Sequence, residues 1–303
     1  MKKNTLTIGT RSSKLALIYA EKVKKELNKI FPNEIKLKKI VTTGDQKQDQ
    51  RLSDIGGKGL FAEQIEKELL NEDIDIAVHA LKDMPTIETE SLLTNNFLKR
   101  NSPNEILISK NNTKFDDLAP NSVIGTSSFR REFQLKNKRS DLKYELIRGN
   151  VDTRIQKLEN GEFDAILLSK AGIDSLKLQN KITQEFSVDE LIPCAGQGII
   201  AIQCKKNDSD IIDLLEKIND IETRIVANAE REVLKVLEGD CDTAVGVFAK
   251  ITGENVDLVT ELFSVDGKMR YFIRETVKKD KIETVSRMIG EKLKLQSKGS
   301  YKN

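Results

Sequence analysis

Apolar positions along the first two hundred residues switch repeatedly between two spacings. Short runs such as "LTIGT" (6–10), "IKLKKIV" (35–41) and "DIAV" (75–78) read as strands. Between them, Leu15, Ile18, Ala20, Val23 and Leu27 form one helical face behind a serine cap at Ser12 or Ser13, and "GLFAEQIEKELL" (59–70) reads as a second helix. A further cycle follows: "EILIS" (105–109), "SVIGT" (122–126), a helix from Ser127, "YELI" (144–147), a helix from Asn150 and "FDAILLS" (163–169). This alternation predicts open α/β sheets. The polar stretch 43–54 reads as a loop long enough to be mobile or functional.

The pattern changes after "GIIAIQC" (198–204), a buried strand, and a helix at about 209–218. A long helix over 221–237 is followed by "AVGVFAKI", "VDLVTELFSV", a turn at Asp266-Gly267 and "MRYFIRET", then a closing helix at about 280–295. That is a small α+β domain, and the polar tail "QSKGSYKN" reads as disordered. The expected division is residues 1–98 with 199–216 as a first α/β lobe, 99–198 as a second, and 217–303 as a C-terminal α+β domain.

Composition removes several function classes. The formal net charge is +2, and the lysine clusters sit beside acids, so no basic stripe points to nucleic acid. No apolar run reaches the roughly 18 residues of a membrane span, and "MKKNTLTIGT" lacks the apolar centre of a secretory signal. Three cysteines (Cys194, Cys204, Cys241) without a C-x-x-C pair suggest a reducing, cytoplasmic setting rather than a disulfide framework. One histidine, His79, and scattered cysteines predict no metal site.

Candidate chemistry gathers at strand-to-helix turns, where ligands bind in α/β sheets. Five such turns are polar: "GTRSSKLA" (9–16), "VTTGD" (41–45), "HALKDMP" (79–85), "GTSSFRR" (125–131) and "IRGNVDTR" (147–154). Arginines at 11, 130, 131, 148 and 154 suit a carboxylate or phosphate, which a guanidinium grips at two points. "GGKG" (56–59) lacks the spacing of a P-loop, which leaves either a flexible glycine loop or an anion for Lys58 to hold. Taken singly, Asp83 is either a backbone cap or a catalyst, and Cys241, at the "EGDCDT" turn, is either structural or reactive.

Taken together the turns are more specific. "GTRSSKLAL", "VTTGD", "IGGKGLFAEQIE", "DIAVHALKDMP", "IGTSSFRREFQL", "IRGNVDTRIQKLENGEFDAILL", "AGQG" and "LEGDC" follow in order along nearly the whole chain. The set resembles the porphobilinogen deaminase (hydroxymethylbilane synthase) family. The resemblance implies two α/β lobes arranged like a two-lobed solute-binding protein, plus a small third domain. It implies an enzyme of tetrapyrrole (haem) biosynthesis that joins four porphobilinogen molecules into a linear tetrapyrrole with release of ammonia. A dipyrromethane cofactor, held as a cysteine thioether, serves as primer. A cytoplasmic monomer is expected.

On that resemblance each pyrrole ring brings an acetate and a propionate, which accounts for the arginines. Arg11, Ser13, Lys58, Arg148, Arg154 and Gln197 match substrate-binding positions, and Lys82, Thr126, Ser128, Arg130 and Arg131 match positions around the cofactor. Asp83 matches the catalytic aspartate, whose carboxylate would stabilise the cation left when ammonia departs, and Cys241 the cofactor attachment point. The chain departs from the family pattern at Tyr19 (often Gln), Asp54 (often Lys), Ser175 (usually Arg) and Ala244 (often Pro). Lys170 and Lys177, near Ser175 in sequence, are candidates to replace the missing cation. The competing reading is a non-catalytic two-lobed anion receptor, which leaves Cys241 and Asp83 unexplained.

Overall fold

The computed structural model describes residues 4–46, 59–239 and 242–302. Lys58, Asp54 and Cys241, three of the positions singled out above, lie outside the described residues. The first unit runs β1 (Thr5–Arg11), α1 (Lys14–Leu27), β2 (Glu34–Ile40), the short α2 (Thr43–Gln46), α3 (Gly59–Leu70), β3 (Ile76–Ala80) and β4 (Leu92–Phe97). The second runs β5 (Glu105–Ser109), β6 (Val123–Gly125), α4 (Phe129–Lys136), β7 (Lys143–Glu145), α5 (Val151–Glu159), β8 (Ala165–Ser169), α6 (Lys170–Ser175) and β9 (Gln184–Phe186). The chain then returns to the first unit with β10 (Ile200–Lys205) and α7 (Ser209–Glu216). It ends with α8 (Ile221–Leu237), β11 (Val245–Thr252), β12 (Asn255–Phe263), β13 (Arg270–Lys278) and α9 (Ile282–Ser297).

Two five-stranded sheets, ordered β2-β1-β3-β10-β4 and β7-β6-β8-β5-β9, share one plan. In each, three parallel strands are followed by two that join antiparallel. A three-stranded antiparallel sheet, β11-β12-β13, completes the fold. The α/β class and the small C-terminal α+β unit therefore hold. β4 and β9 were not foreseen: "LLTNNF" carries two asparagines, and "QEF" is too short to show a period.

Local chemistry explains the helix starts. The Ser13 hydroxyl accepts the Ala16 N–H at 3.4 Å, and α1 then buries Tyr19, Ala20, Val23 and Leu27. Ser128 caps α4 in the same way through the Arg131 N–H, so that helix begins two residues later than the serine pair suggests. The tail corrects the sequence reading. Tyr301 is buried and donates its hydroxyl to the Leu237 carbonyl at 3.1 Å, so an aromatic anchor holds a segment whose polarity reads as disorder.

The third sheet packs onto the crossings between the first two. Its core continues through Val233 and Leu237 into Leu81, Met84, Phe97, Ala195 and Ile199. Glu230, fully buried on α8, is the polar centre of this junction. It accepts from both Arg100 terminal nitrogens (2.6 and 3.3 Å) and from the Gly196 and Ala249 N–H groups (2.7 and 2.9 Å). Arg100 also donates from Nε to the Gln197 carbonyl at 3.0 Å. Both crossings, at 98–104 and 187–199, are thus tied to one acid.

Candidate active site

The strand ends of both five-stranded sheets open into a cleft of about 370 Å³. Arg11, Ser13, Lys82, Asp83, Ser128, Arg130, Arg131, Arg148, Arg154 and Gln197, all singled out from sequence, border it together. Thr126 is buried behind them; its hydroxyl accepts the Ser128 N–H at 3.2 Å and holds the turn. Seven basic side chains, the six named here and Lys14, face two acids, Asp83 and Asp152, among the described lining residues. An excess of cations in one concave site is an electrostatic trap for a polyanion.

Asp83 ends a single 3₁₀ turn, Leu81–Asp83, directly after β3. The turn is pinned by buried Leu81, whose N–H donates to the Ile199 carbonyl at 3.0 Å. Gly196 lies against it with φ +74, and a Cβ there would meet Leu81 at 2.7 Å. The "AGQG" segment therefore serves the aspartate's turn by close approach. Lys82, its neighbour, reaches Gln197 Oε1 at 3.5 Å, and buried Gln197 donates to the Pro103 carbonyl at 2.7 Å. Arg11 lies over the Phe61 ring, 4.0 Å from its centroid.

The paired arginines are held by a residue the sequence reading passed over. Glu105, fully buried at the start of β5, accepts from Arg130 at 2.6 Å and Arg131 at 2.7 Å. Burial alone would raise its pKa, but Arg131 and Arg130 outweigh that and hold it at about 2. Each arginine also gives a terminal nitrogen to a carbonyl, Arg130 to Ile192 and Arg131 to Leu167. One acid thus answers two guanidiniums, and both Nε atoms are buried without a protein partner among the described residues. The "EILIS" run reads as core strand and gives no local sign that its acid serves arginines 25 and 26 residues away.

Among the described residues, no ion pair answers Arg154. Burial, Arg131 and Arg148 together push its pKa down to about 10, against a weaker pull from Asp83. Its Nε donates to the Gly149 carbonyl at 2.9 Å. Gly149 sits at φ +109, where a Cβ would press on Thr153 at 2.8 Å, so the "RGN" turn requires glycine. Mutual repulsion among cations in a cleft is a cost that a multiply charged anion would remove.

Three other residues join the site without having been assigned to it. Cys194 borders the cleft and points its thiol to Gln197 Oε1 at 3.6 Å. Tyr19 and His79 border a smaller adjoining cavity with Arg11, Ser13 and Asp83. Burial and then Asp83 raise the Tyr19 pKa to about 12, while burial lowers that of His79 to about 4. Lys170, expected near Ser175 as a spare cation, is engaged by Asp174 (3.5 Å) and Glu185 (3.3 Å). No group of three or more metal-ligating side chains occurs among the described residues.

Comparison with known proteins follows the same outline. A family model described as "Porphobilinogen deaminase, dipyromethane cofactor binding domain" matches residues 6–213, and "Porphobilinogen deaminase, C-terminal domain" matches residues 225–295. Porphobilinogen deaminase of Exiguobacterium sibiricum is 43% identical over 274 residues, covering 89% of each chain. That of Chlorobaculum tepidum is 42% identical, covering 88% of this chain and 86% of its own. That of Bacillus subtilis is 40% identical, covering 90% and 87%. Among solved structures, an arginine-specific periplasmic binding protein of Salmonella typhimurium aligns at TM-score 0.41 and 13% identity, over 73% of this chain and 96% of its own. Two family models in the right order, relatives matched along most of their length and a cation-lined cleft around Asp83 agree: this chain belongs to the porphobilinogen deaminase family.

Proposed function

We propose that this chain is a hydroxymethylbilane synthase, a transferase that joins four porphobilinogen molecules head to tail with release of ammonia. The observation that carries this reading is the cleft itself, which seven cations border together with Asp83 among the described residues. Porphobilinogen carries two carboxylates per ring, so the need for guanidiniums grows with each unit added. We divide the chain as 1–98 with 199–216, 99–198 and 217–303; the return of β10 to the first sheet supports that division.

The residues present suit a dipyrromethane cofactor. Its carboxylates match the two buried Nε donors of Arg130 and Arg131 that have no partner among the described residues, in guanidiniums that Glu105 already holds in place. Lys82, Ser128, Arg130 and Arg131 would hold it, with Thr126 supporting the turn, and Cys241 in "LEGDC" would attach it. When bound, the cofactor supplies the pyrrole carbon to which the first substrate is joined.

The chain's own groups divide the remaining work. Asp83 places a fixed carboxylate where positive charge develops as ammonia leaves the substrate, and it can accept the proton lost from a pyrrole. Arg11, Arg148 and Arg154, with Lys58, bind substrate carboxylates, and Ser13 and Gln197 complete the polar wall. A cleft built within one chain supports a monomer, and the free Cys194 and Cys204, among the described residues, support a cytoplasmic setting. No described helix is long and apolar enough to cross a membrane.

Intact-protein mass together with porphobilinogen turnover tests the assignment. Two pyrrole units bound covalently, lost on Cys241→Ser and kept on Cys204→Ser, are the expected result. An unmodified chain that releases no ammonia from porphobilinogen would overturn it.

A further inference from the structure

One cation outside the arginine turns bridges the two lobes with only neutral hydrogen-bond partners. Lys22 on α1 donates from Nζ to Ser175 Oγ, at the end of α6, at 3.1 Å, and to Asn101 Oδ1, in the first crossing, at 3.4 Å. Asp174 acts on the ammonium only through space, and burial still leaves its pKa below the ordinary lysine value. An ammonium has three donors, and these two acceptors take two of them.

Tyr19 connects this cation to the site. Lys22 Nζ lies 5.7 Å from the Tyr19 ring centroid, and Ser175 acts on the Tyr19 hydroxyl against the rise that burial and Asp83 impose. Tyr19 borders the small cavity beside Asp83, and Leu176, next to Ser175, borders the main cleft. Two positions at which the chain departs from the family pattern, 19 and 175, are therefore partners in space, and a lysine ammonium stands on both.

We propose that Lys22 is a further carboxylate-binding residue for the growing oligopyrrole, positioned by Tyr19, Ser175 and Asn101. The inference rests on the function proposed above. Lys22 stands behind Tyr19 and Leu176, which border the two cavities, and an anionic side chain of the lengthening product reaching past them would meet the third N–H and favour the charged form that burial disfavours. The lobe junction is then a binding element: Ser175 supplies a hydroxyl that holds a cation delivered from the opposite lobe.

The test uses the cofactor-loaded enzyme with Lys22→Met, Lys22→Arg and the double variant Lys22→Met/Ser175→Arg. Steady-state kinetics would be measured alongside native mass spectrometry of the enzyme-bound intermediates. Lys22→Met should raise KM for porphobilinogen about tenfold or more, the effect of one lost charge-assisted bond, and skew the intermediate ladder. Its melting temperature and two-pyrrole mass should match wild type. Lys22→Arg should keep most of the function, and the double variant should return toward wild type, since it moves the cation across the junction. The proposal falls if Lys22→Met has the wild-type KM and ladder, if its loss only tracks lowered stability or cofactor content, or if the double variant recovers nothing. A wild-type enzyme that made no tetrapyrrole would fail the parent reading, a separate outcome.

Discussion

The two lobes share a sheet plan and carry different polar equipment. In the first, the strand-end turns supply Asp83, Lys82, Arg11 and Ser13; in the second they supply Arg130, Arg131, Arg148 and Arg154. The same three-parallel, two-antiparallel arrangement thus presents a carboxylate from one side and a cluster of arginines from the other. Function here is a property of the turns, and the sheets act as two mounts facing each other. The second lobe's load is also internally unbalanced. Glu105 answers two of its arginines, while Arg154 is left among like charges.

The comparison breaks most severely at Glu105. Glu105→Gln leaves two buried guanidiniums without their acid, and removing one partner from a buried ion pair costs roughly 3–5 kcal/mol. A lower melting temperature with loss of bound cofactor is expected, measured by calorimetry and intact mass. Because its pKa is depressed to about 2, wild-type Glu105 stabilises the fold above its unfolded pKa, near 4.5, and that contribution is lost as pH falls toward 2. The first lobe's counterpart is Asp83→Asn. The fold and cofactor should survive, while turnover falls about 100- to 1000-fold through loss of one preorganised electrostatic partner. Near-normal turnover in a cofactor-loaded variant would remove Asp83 from the chemistry.

Smaller effects sharpen the contrast. Arg148→Gln should relieve the like-charge pressure on Arg154, while KM rises roughly 10- to 100-fold from a lost charge-assisted bond. Lower stability with unchanged KM would reverse that reading. At neutral pH the mildest effect is that of His79, which shows only on the acid side. His79 is neutral in the fold with a pKa near 4, so the unfolded chain takes up its proton first. Stability should fall as pH drops from about 6.5 toward 4, at no more than about 1.4 kcal/mol per pH unit. His79→Gln should flatten that slope in denaturant titrations.

Much of this was legible in the sequence where the signal is local. A serine before an apolar helix face, a glycine beside an arginine, or a strand ending in a polar turn states its role within ten residues, and those elements place ten of the predicted site residues around one cleft. Glu105 was not legible, because its meaning lies in partners a full strand–turn–helix unit away. Lys22 was hidden for the same reason: within α1 it reads as a solvated lysine, and only the second lobe supplies Ser175. The tail was misread because one buried tyrosine outweighs six polar neighbours.

The route of β10 has a consequence for synthesis. That strand lies between β3 and β4, yet the chain reaches it only after all of β5 to β9. On a ribosome the lobe begun first cannot close its sheet until the second has emerged, and β4 has no partner of its own until then. The second lobe, with every strand contiguous in sequence, can close before the first. Birth order and completion order are therefore reversed, and a chain stalled before residue 200 would hold a finished arginine cluster beside a half-built first lobe.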